Sequence, residues 1–383
     1  MKRPARPAWA PARRTWAAAI VAAAVAVSLF TAAAPMSPVA AAPMSPVAAA
    51  TTAENHPITL FAKIGAPGYP DGIVTAPDGD VYVSTNRPAD AAGVAAPLQQ
   101  QVPSRIYRYR GDGHLKASYQ ISGQVAADHG LMGMVFDGRG RLYVVDYAPA
   151  RILRLDPATG AQQTYATIPT LPCGSPACGS WGQPWPVDLA FGPDGTLYVT
   201  DLQQSAIFAV PPGGGTATPW SVAPQWSTPF GVSGIALDGP SSLIVDVTGA
   251  GLTDAAAPQT ARGAVYRVPI EPDGTAGVPR LLYATAPGEA PDSFALGASG
   301  RIYLCTLLTN EVIVIGPDGQ ELTRIRSGPA DAVLDGPAMA AFRGTDLLVT
   351  NLTFFSNNPD HQTVVRIPVQ DTAAPAYRPI LPG

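Results

Sequence analysis

From residue 58 onward, short apolar runs alternate with clusters of turn residues, and one unit recurs: an apolar strand, a Gly-containing turn, then a strand of Leu-Tyr-Val type. It reads Gly72-Ile-Val-Thr-Ala-Pro-Asp-Gly-Asp-Val-Tyr-Val83, Gly133-Met-Val-Phe-Asp-Gly-Arg-Gly-Arg-Leu-Tyr-Val144 and Asp188-Leu-Ala-Phe-Gly-Pro-Asp-Gly-Thr-Leu-Tyr-Val199. Weaker copies run from Gly234 to Val245, Ser293 to Leu304 and Ala338 to Val349. Two apolar runs around a tight turn predict a hairpin in each copy. A third strand follows each one, beginning at Arg105, Arg151, Ala206, Ala264, Glu311 and Thr363, and fourth strands are readable after most, as at His114–Tyr119 and Leu281–Ala284. Four strands per unit without a long helix predict an all-β chain folded as a β-propeller of antiparallel blades.

The spacing sets the blade number. The end of the second strand recurs at Val83, Val144, Val199, Val245, Leu304 and Val349, 45 to 61 residues apart, and the 313 residues from 58 to 370 hold six such units. No fourth strand follows Pro368, whereas Ile58–Ile64 is a strand with no unit before it. The N-terminal strand is therefore expected to complete the sixth blade and remove its exposed edge. The propeller spans residues 51–372, and the tail from Ala373 to Gly383 is expected to pack outside the sixth blade.

Residues 1–50 are different material. Lys2, Arg3, Arg6, Arg13 and Arg14 precede an apolar run from Trp16 to Ala34, followed by the tandem Ala34-Pro-Met-Ser-Pro-Val-Ala-Ala and Ala42-Pro-Met-Ser-Pro-Val-Ala-Ala. This reads as a secretory signal peptide and small-residue linker, with a membrane anchor as the competing reading because the run approaches spanning length. The Arg13-Arg14 pair also fits a twin-arginine signal, although the residues after it match poorly. A secreted protein without stable membrane association after cleavage is the expectation. The segment holds five basic and no acidic residues, so the net charge of −4 becomes −9 for the rest of the chain. Such an acidic surface argues against nucleic acid as partner. Only 14% of residues are charged, while Gly (38) and Pro (42) are abundant without a collagen period, which excludes long disorder and suits many short strands.

In a propeller the residues just before each first strand and just after each second strand surround one end of the central channel. The long connections, Thr85–Ser104, Pro169–Pro186, Ser221–Ser233, Val247–Gly263 and Leu352–Gln362, all fall on that face, as binding loops on a rigid scaffold do. One of them holds Cys173-Gly-Ser-Pro-Ala-Cys178, whose spacing suggests a local disulfide in an exported chain. Cys305, inside a second strand, reads as a small core residue.

Aligning the repeats gives a column at the channel mouth: Asp71, Met132, Val187, Ser233, Asp292 and Pro337. Two Asp converging on a channel either raise a pKa or bind a hard cation, whereas an Asp at a strand start also bonds nearby backbone N–H groups. Asp188 lies one place further on, and His129 is the His placed nearest the mouth. A second column, Asn86, Asp146, Asp201, Asp246, Thr306 and Asn351, recurs in every blade and reads as turn-stabilising.

These residues resemble the senescence-marker-protein/gluconolactonase/luciferin-regenerating-enzyme family of six-bladed propellers, and more loosely the NHL-repeat propellers. The resemblance covers roughly residues 58–370. Its best segment is Pro291-Asp-Ser-Phe-Ala-Leu-Gly-Ala-Ser-Gly-Arg-Ile-Tyr-Leu with Asn310-Glu-Val-Ile-Val-Ile, similar to the family's fifth blade and its metal-binding Asp. Asp71 falls where the family has a Glu ligand. The resemblance implies one divalent cation, Ca²⁺ or else Zn²⁺ or Mg²⁺, with Asp71 and Asp292 as ligands and Asp292 assisting proton transfer; Asp188 and Ser233 are the candidates to complete the ligand set, and His129, from its place near the mouth, is a candidate catalytic group. The family's Asn positions in blades three and four hold Val187 and Ser233 here. The implied activity is a secreted lactone or ester hydrolase acting on a small molecule. The alternative is a non-catalytic propeller binding a sugar, peptide or cell-wall component through Trp181, Trp185, Trp226, Phe354 and Phe355. A propeller lyase or synthase has no matching constellation, and neither a Gly-x-Ser-x-Gly elbow nor a phosphate-binding Gly loop is present.

Overall fold

The computed structural model describes residues 56–86, 102–125, 129–172, 183–226, 228–249 and 263–382. Contacts separate residues 1–49 from Ala50–Gly383, and the propeller is the second unit. Blade 1 comprises Pro70–Thr75, Val81–Thr85, Arg105–Tyr109 and Leu115–Gln120. Blade 2 comprises Leu131–Phe136, Leu142–Tyr147, Ala150–Leu155 and Gln162–Thr167, with Gly215–Thr216 added in parallel at its edge. Blade 3 holds Pro186–Phe191, Leu197–Asp201, Ala206–Val210 and Thr218–Ser221, and blade 4 holds Phe230–Leu237, Ser242–Gly249, Ala264–Pro269 and Arg280–Ala284. Blade 5 consists of Pro291–Leu296, Ile302–Thr306, Glu311–Ile315 and Glu321–Arg326.

Blade 6 is built from both ends of the chain. Pro337–Arg343, Asn351-ended Asp346–Asn351 and Thr363–Pro368 are followed, as outermost strand, by Thr59–Lys63. Lys63 pairs with Thr363 and Thr59 with Arg366 in antiparallel register, so the expected ring closure is present. Six blades in one all-β ring match the architecture read from the repeats.

The recurring Leu-Tyr-Val strand explains how blades stack. Its apolar residues are fully buried because a second strand is covered by a neighbouring blade on each face. Its Tyr meets, edge to face, a Phe at or next to the end of the first strand of the next blade: Tyr82 on Phe136 at 5.1 Å, Tyr143 on Phe191 at 5.2 Å, Tyr303 on Phe342 at 5.3 Å. Outer strands such as Leu115–Gln120 alternate exposed and half-buried positions, as a strand with one wet face does.

The tail departs from expectation. It does not lie outside the sixth blade but crosses the hairpin face of the ring. Ala374 N donates to Leu296 O (2.8 Å) in blade 5, Arg378 Nη2 to Thr75 O (3.3 Å) in blade 1, and Pro379 O accepts from Gly138 N (2.9 Å) in blade 2. Leu381 is buried in the core cluster of blades 1–3, and Arg141 holds its carbonyl (3.2 Å). Apolar Leu381 and that cation anchor the strap's far end, while Asp371, bonded to Ser299 and Tyr303, anchors its start. Between strap and first strands lies a cavity of about 370 Å³ with Asp188 among its lining residues. Among the described residues, no helix is long and apolar enough to cross a membrane.

Candidate functional site

Every first strand carries one β-bulge at the same place. Pro70 pairs with Thr85 and Ile73 with Val83, so Asp71 and Gly72 together oppose Ser84, and the other five blades repeat this. Four of the six bulges follow a Pro: Pro70, Pro186, Pro291 and Pro337. A bulge tolerates the missing N–H that a regular central strand cannot. The bulged pairs are Asp71-Gly72, Met132-Gly133, Val187-Asp188, Ser233-Gly234, Asp292-Ser293 and Ala338-Met339. Ala338, not Pro337, is thus the sixth column residue. The blade 6 hairpin, where Arg343 pairs with Asp346, is one residue shorter than the others, which displaces any alignment counted back from Val349.

The residue opposite each bulge forms a third column: Ser84, Val145, Thr200, Asp246, Cys305 and Thr350. Three of these hydroxyls join neighbouring blades. Ser84 Oγ accepts from Gly72 N (2.9 Å) and donates to Met132 O (2.8 Å); Thr350 Oγ1 accepts from Met339 N (3.0 Å) and donates to Asp71 O (2.7 Å). Thr200 does the same between Asp188 N and Ser233 O. Asp246 replaces the hydroxyl in blade 4, accepting from Gly234 N at 2.8 Å with Oδ1, while its buried Oδ2 has no hydrogen-bond partner among the described residues. Cys305 is a fully buried free thiol in the same register, as expected of a core residue, and burial beside Asp292 and Asp246 pushes its pKa up.

Four carboxylates therefore share the channel. Asp71 Oδ2 accepts from Asn86 Nδ2 at 2.7 Å, and its buried Oδ1 has no hydrogen-bond partner among the described residues. Asp188 accepts from its neighbour Leu189 N (2.9 Å), from Ile235 N (3.3 Å) and from Ser293 Oγ (3.2 Å). Asp292 has one hydrogen bond among the described residues, a long one from Ser233 Oγ at 3.4 Å. Asp188 and Asp292 keep some accessible surface, and Asp188 lines the cavity between strap and first strands. Burial, and for Asp71 the charge of Asp188, raises Asp71 and Asp188 to about 7. Burial followed by the charges of its carboxylate neighbours pushes Asp292 well above the carboxylate range, and Asp246 behaves likewise. Asp188, one place beyond the column in sequence, joins it through the bulge, in which Val187 and Asp188 together oppose Thr200. Gly133 makes room for it, since a Cβ there would collide with Asp188 Oδ1.

The second column divides. Asp146 pairs with Arg151 (2.8 Å), Asp201 holds Trp185 N and Gln204 N (3.1 and 2.8 Å), Thr306 bonds Glu311 O (3.0 Å), and Asn351 accepts from Asp335 N (3.1 Å). These are the loop-holding contacts expected of them. Asn86 and Asp246 lie one position to either side of that register and belong to the channel instead. His129 is buried with Nδ1 on Ser104 Oγ at 2.8 Å, and it is not among the groups that perturb the four carboxylates.

The mouth is aromatic. Trp185 stacks on Tyr147 with centroids 5.3 Å apart, Phe354 meets Phe355 at 5.0 Å, and Tyr69 and Phe354 belong to one apolar cluster spanning blades 1, 5 and 6. Trp226, expected in a binding loop, is a core residue with no exposed surface, packed on Tyr266. Cys173, Cys178, Trp181 and the signal-like segment lie outside the described residues. Sequence reading missed Asp335 and His361, which lie 2.7 Å apart on the mouth face, because neither stands in a repeat column.

No protein-family model matches this chain, and no curated protein matches it. Solved structures do. One is a candidate gluconolactonase, 17% identical, covering 84% of this chain and 94% of that one with a TM-score of 0.55. Another is regucalcin, a calcium-binding protein of Agrobacterium tumefaciens, 14% identical over 85% and 99% with a TM-score of 0.55. A third is a PQQ-bound aldose sugar dehydrogenase from Streptomyces coelicolor, 15% identical over 82% and 98% with a TM-score of 0.54. At these identities the likeness establishes the propeller fold, and the same fold carries hydrolytic, calcium-binding and redox proteins.

Proposed function

We propose that this propeller is an exported hydrolase of lactones or related small esters, with its site where Asp71 and Asp292 face the channel and a divalent cation as cofactor. The observation that carries the reading is Asp71 Oδ1, a buried oxygen that, among the described residues, has no hydrogen-bond partner and belongs to a group of four carboxylates none of which forms an ion pair. Such a group is neutralised by protons or by a cation.

The donors are carboxylate and hydroxyl oxygens, which suit Ca²⁺ or Mg²⁺ better than Zn²⁺. Among the described residues no three acidic, His or Cys side chains are already grouped as a metal centre. Asp188 and Asp246 are held by backbone amides, leaving Asp71, Asp292 and the Ser233 hydroxyl as the side chains that turn toward a cation. When bound, the cation supplies Lewis-acid polarisation of the acyl carbonyl. Asn86 fixes the Asp71 carboxylate through Oδ2 and leaves Oδ1 without a hydrogen-bond partner among the described residues. The Trp185–Tyr147 stack gives the mouth an apolar wall against which a small ring can pack.

Calorimetry with Ca²⁺ on the mature protein, beside Asp71→Ala and Asp292→Ala, tests the reading together with a pH-stat assay on γ- and δ-lactones. Saturable one-site binding lost in both variants, with lactone opening by the parent, is the expected result. Absence of binding in a parent no more stable than its variants favours the second reading, a ligand-binding propeller using the stacked Trp185 and the half-exposed Phe355.

A further inference from the structure

We propose that Asp335 and His361 form a general acid–base pair on the mouth face, in the loops of blade 6, with His361 Nε2 as the base that activates water. This role rests on the hydrolase reading above. Asp335 is buried, and its Oδ2 accepts from Ser356 Oγ at 2.6 Å and lies 2.7 Å from His361 Nδ1. An ionised carboxylate only accepts, so the proton of the neutral imidazole sits on Nδ1 and the lone pair on Nε2. The His361 side chain is one-third exposed, and its Nε2 carries no hydrogen bond among the described residues.

The pair is held in place from two sides. Asp335 N donates to Asn351 Oδ1 (3.1 Å), and its carbonyl accepts from Thr353 N (3.1 Å), which fixes the carboxylate at the end of the blade 6 strands. The loop bearing His361 is tied to blade 1 by Tyr69 Oη–H on Asn357 Oδ1 (3.1 Å), two residues before Asp71. Thr350, next to Asn351, donates to Asp71 O itself (2.7 Å). The loop that bears His361 is thus tied on the mouth face to the segment that carries Asp71, whose Oδ1 has no hydrogen-bond partner among the described residues. The exposed Phe355 beside Phe354 offers the apolar flank of an ester a surface.

The chemistry balances without a further reagent. Water attacks the acyl carbon and a new C–O bond forms while Nε2 takes the water proton. The imidazolium then returns that proton to the ring or leaving oxygen as the original acyl C–O bond breaks. Asp335 acts as a positioning residue that holds the tautomer and stabilises the imidazolium. The charged groups around His361 are Asp335, the adjacent Asp360, and Lys63, which pairs with Asp360 at 2.9 Å.

Nitrogen-15 NMR of the folded protein reads the tautomer directly, and kcat and KM against pH for p-nitrophenyl acetate and δ-valerolactone read the role. We expect an Nδ1–H tautomer and an acidic limb in the parent rate. His361→Asn should lower kcat by about 100-fold or more, with little change in KM and loss of that limb. Asp335→Asn should lower kcat as well, and Ser356→Ala should keep the limb. An Nε2–H tautomer overturns the pair even if His361→Asn does not fold. An active parent whose rate and limb survive in a folded His361→Asn overturns this inference alone. A parent that hydrolyses neither substrate sinks the hydrolase reading and this role with it.

Discussion

Asp71 and Asp188, held at about 7, take up protons near neutrality, three pH units above an ordinary Asp. The native state therefore binds these protons more tightly than the unfolded chain. Their contribution to stability is complete below about pH 4 and is lost as pH rises through about 7. Asp80, Asp371 and Glu321 act in the opposite sense, since hydrogen bonds to their carboxylates lower them, but they are ionised in both states above about pH 5. Between pH 5 and 8 the channel carboxylates thus set the slope together with Asp146 and Asp201, which burial raises to about 6. In chelated buffer the melting temperature should fall by several degrees over that interval, and Asp71→Asn should flatten the fall. Ca²⁺ should raise the melting temperature more at pH 8 than at pH 5, because fewer protons compete for the same oxygens. A melting temperature that climbs from pH 5 to 8 without metal would contradict the assignment.

The bulge is the element that converts six ordinary strands into a channel lining. It requires close approach, and Gly234 shows how close: a Cβ there would meet Ser293 Oγ at 2.7 Å and Ser293 Cα at 2.9 Å, and would collide with Asp246. Gly234→Ala should cost about 1–3 kcal/mol, read as a lower denaturation midpoint with unchanged slope. The hairpins, the third strands and ring closure were all legible in the sequence, because a buried Leu-Tyr-Val strand flanked by turns repeats six times. The bulge was not, since one extra residue leaves the hydrophobic alternation on either side intact. Its trace was the Pro at 70, 186, 291 and 337, read only as composition. That single residue set Asp188 outside the column, whereas Pro337 was misplaced by the shorter blade 6 hairpin and Asp246 fell among turn residues because it stands one position before the register of that second-strand column. Asp71 and Asp292 were recognisable because an acid in an apolar strand is conspicuous by itself. Asp335 and His361, 26 residues apart, are united by loop geometry, which no repeat encodes.

At the scale of the molecule, the strap makes the two ends of the channel unlike. The mouth face carries the carboxylates' loop partners and the aromatics, while residues 371–382 span the hairpin face from blade 5 to blades 2 and 3. Ending the chain after Gln370 should leave the six-bladed circular-dichroism signature in place. It should lower the melting temperature by a few degrees, since Leu381 leaves the core and Arg141 loses two carbonyl partners. Loss of all cooperative unfolding in that variant would mean the strap is part of the ring's minimal structure.

The sixth blade joins Thr59–Lys63 to Thr363–Pro368, across some 300 residues of chain. On a ribosome the first strand made is then the last to find its partner, and it stays an unpaired edge until synthesis is almost finished. If the chain is exported as proposed, that order suits it, because no premature ring can lock ahead of translocation. The same seam lets a circular permutant, with its original termini joined and new ones cut into another inter-blade loop, rebuild the ring from a different starting blade.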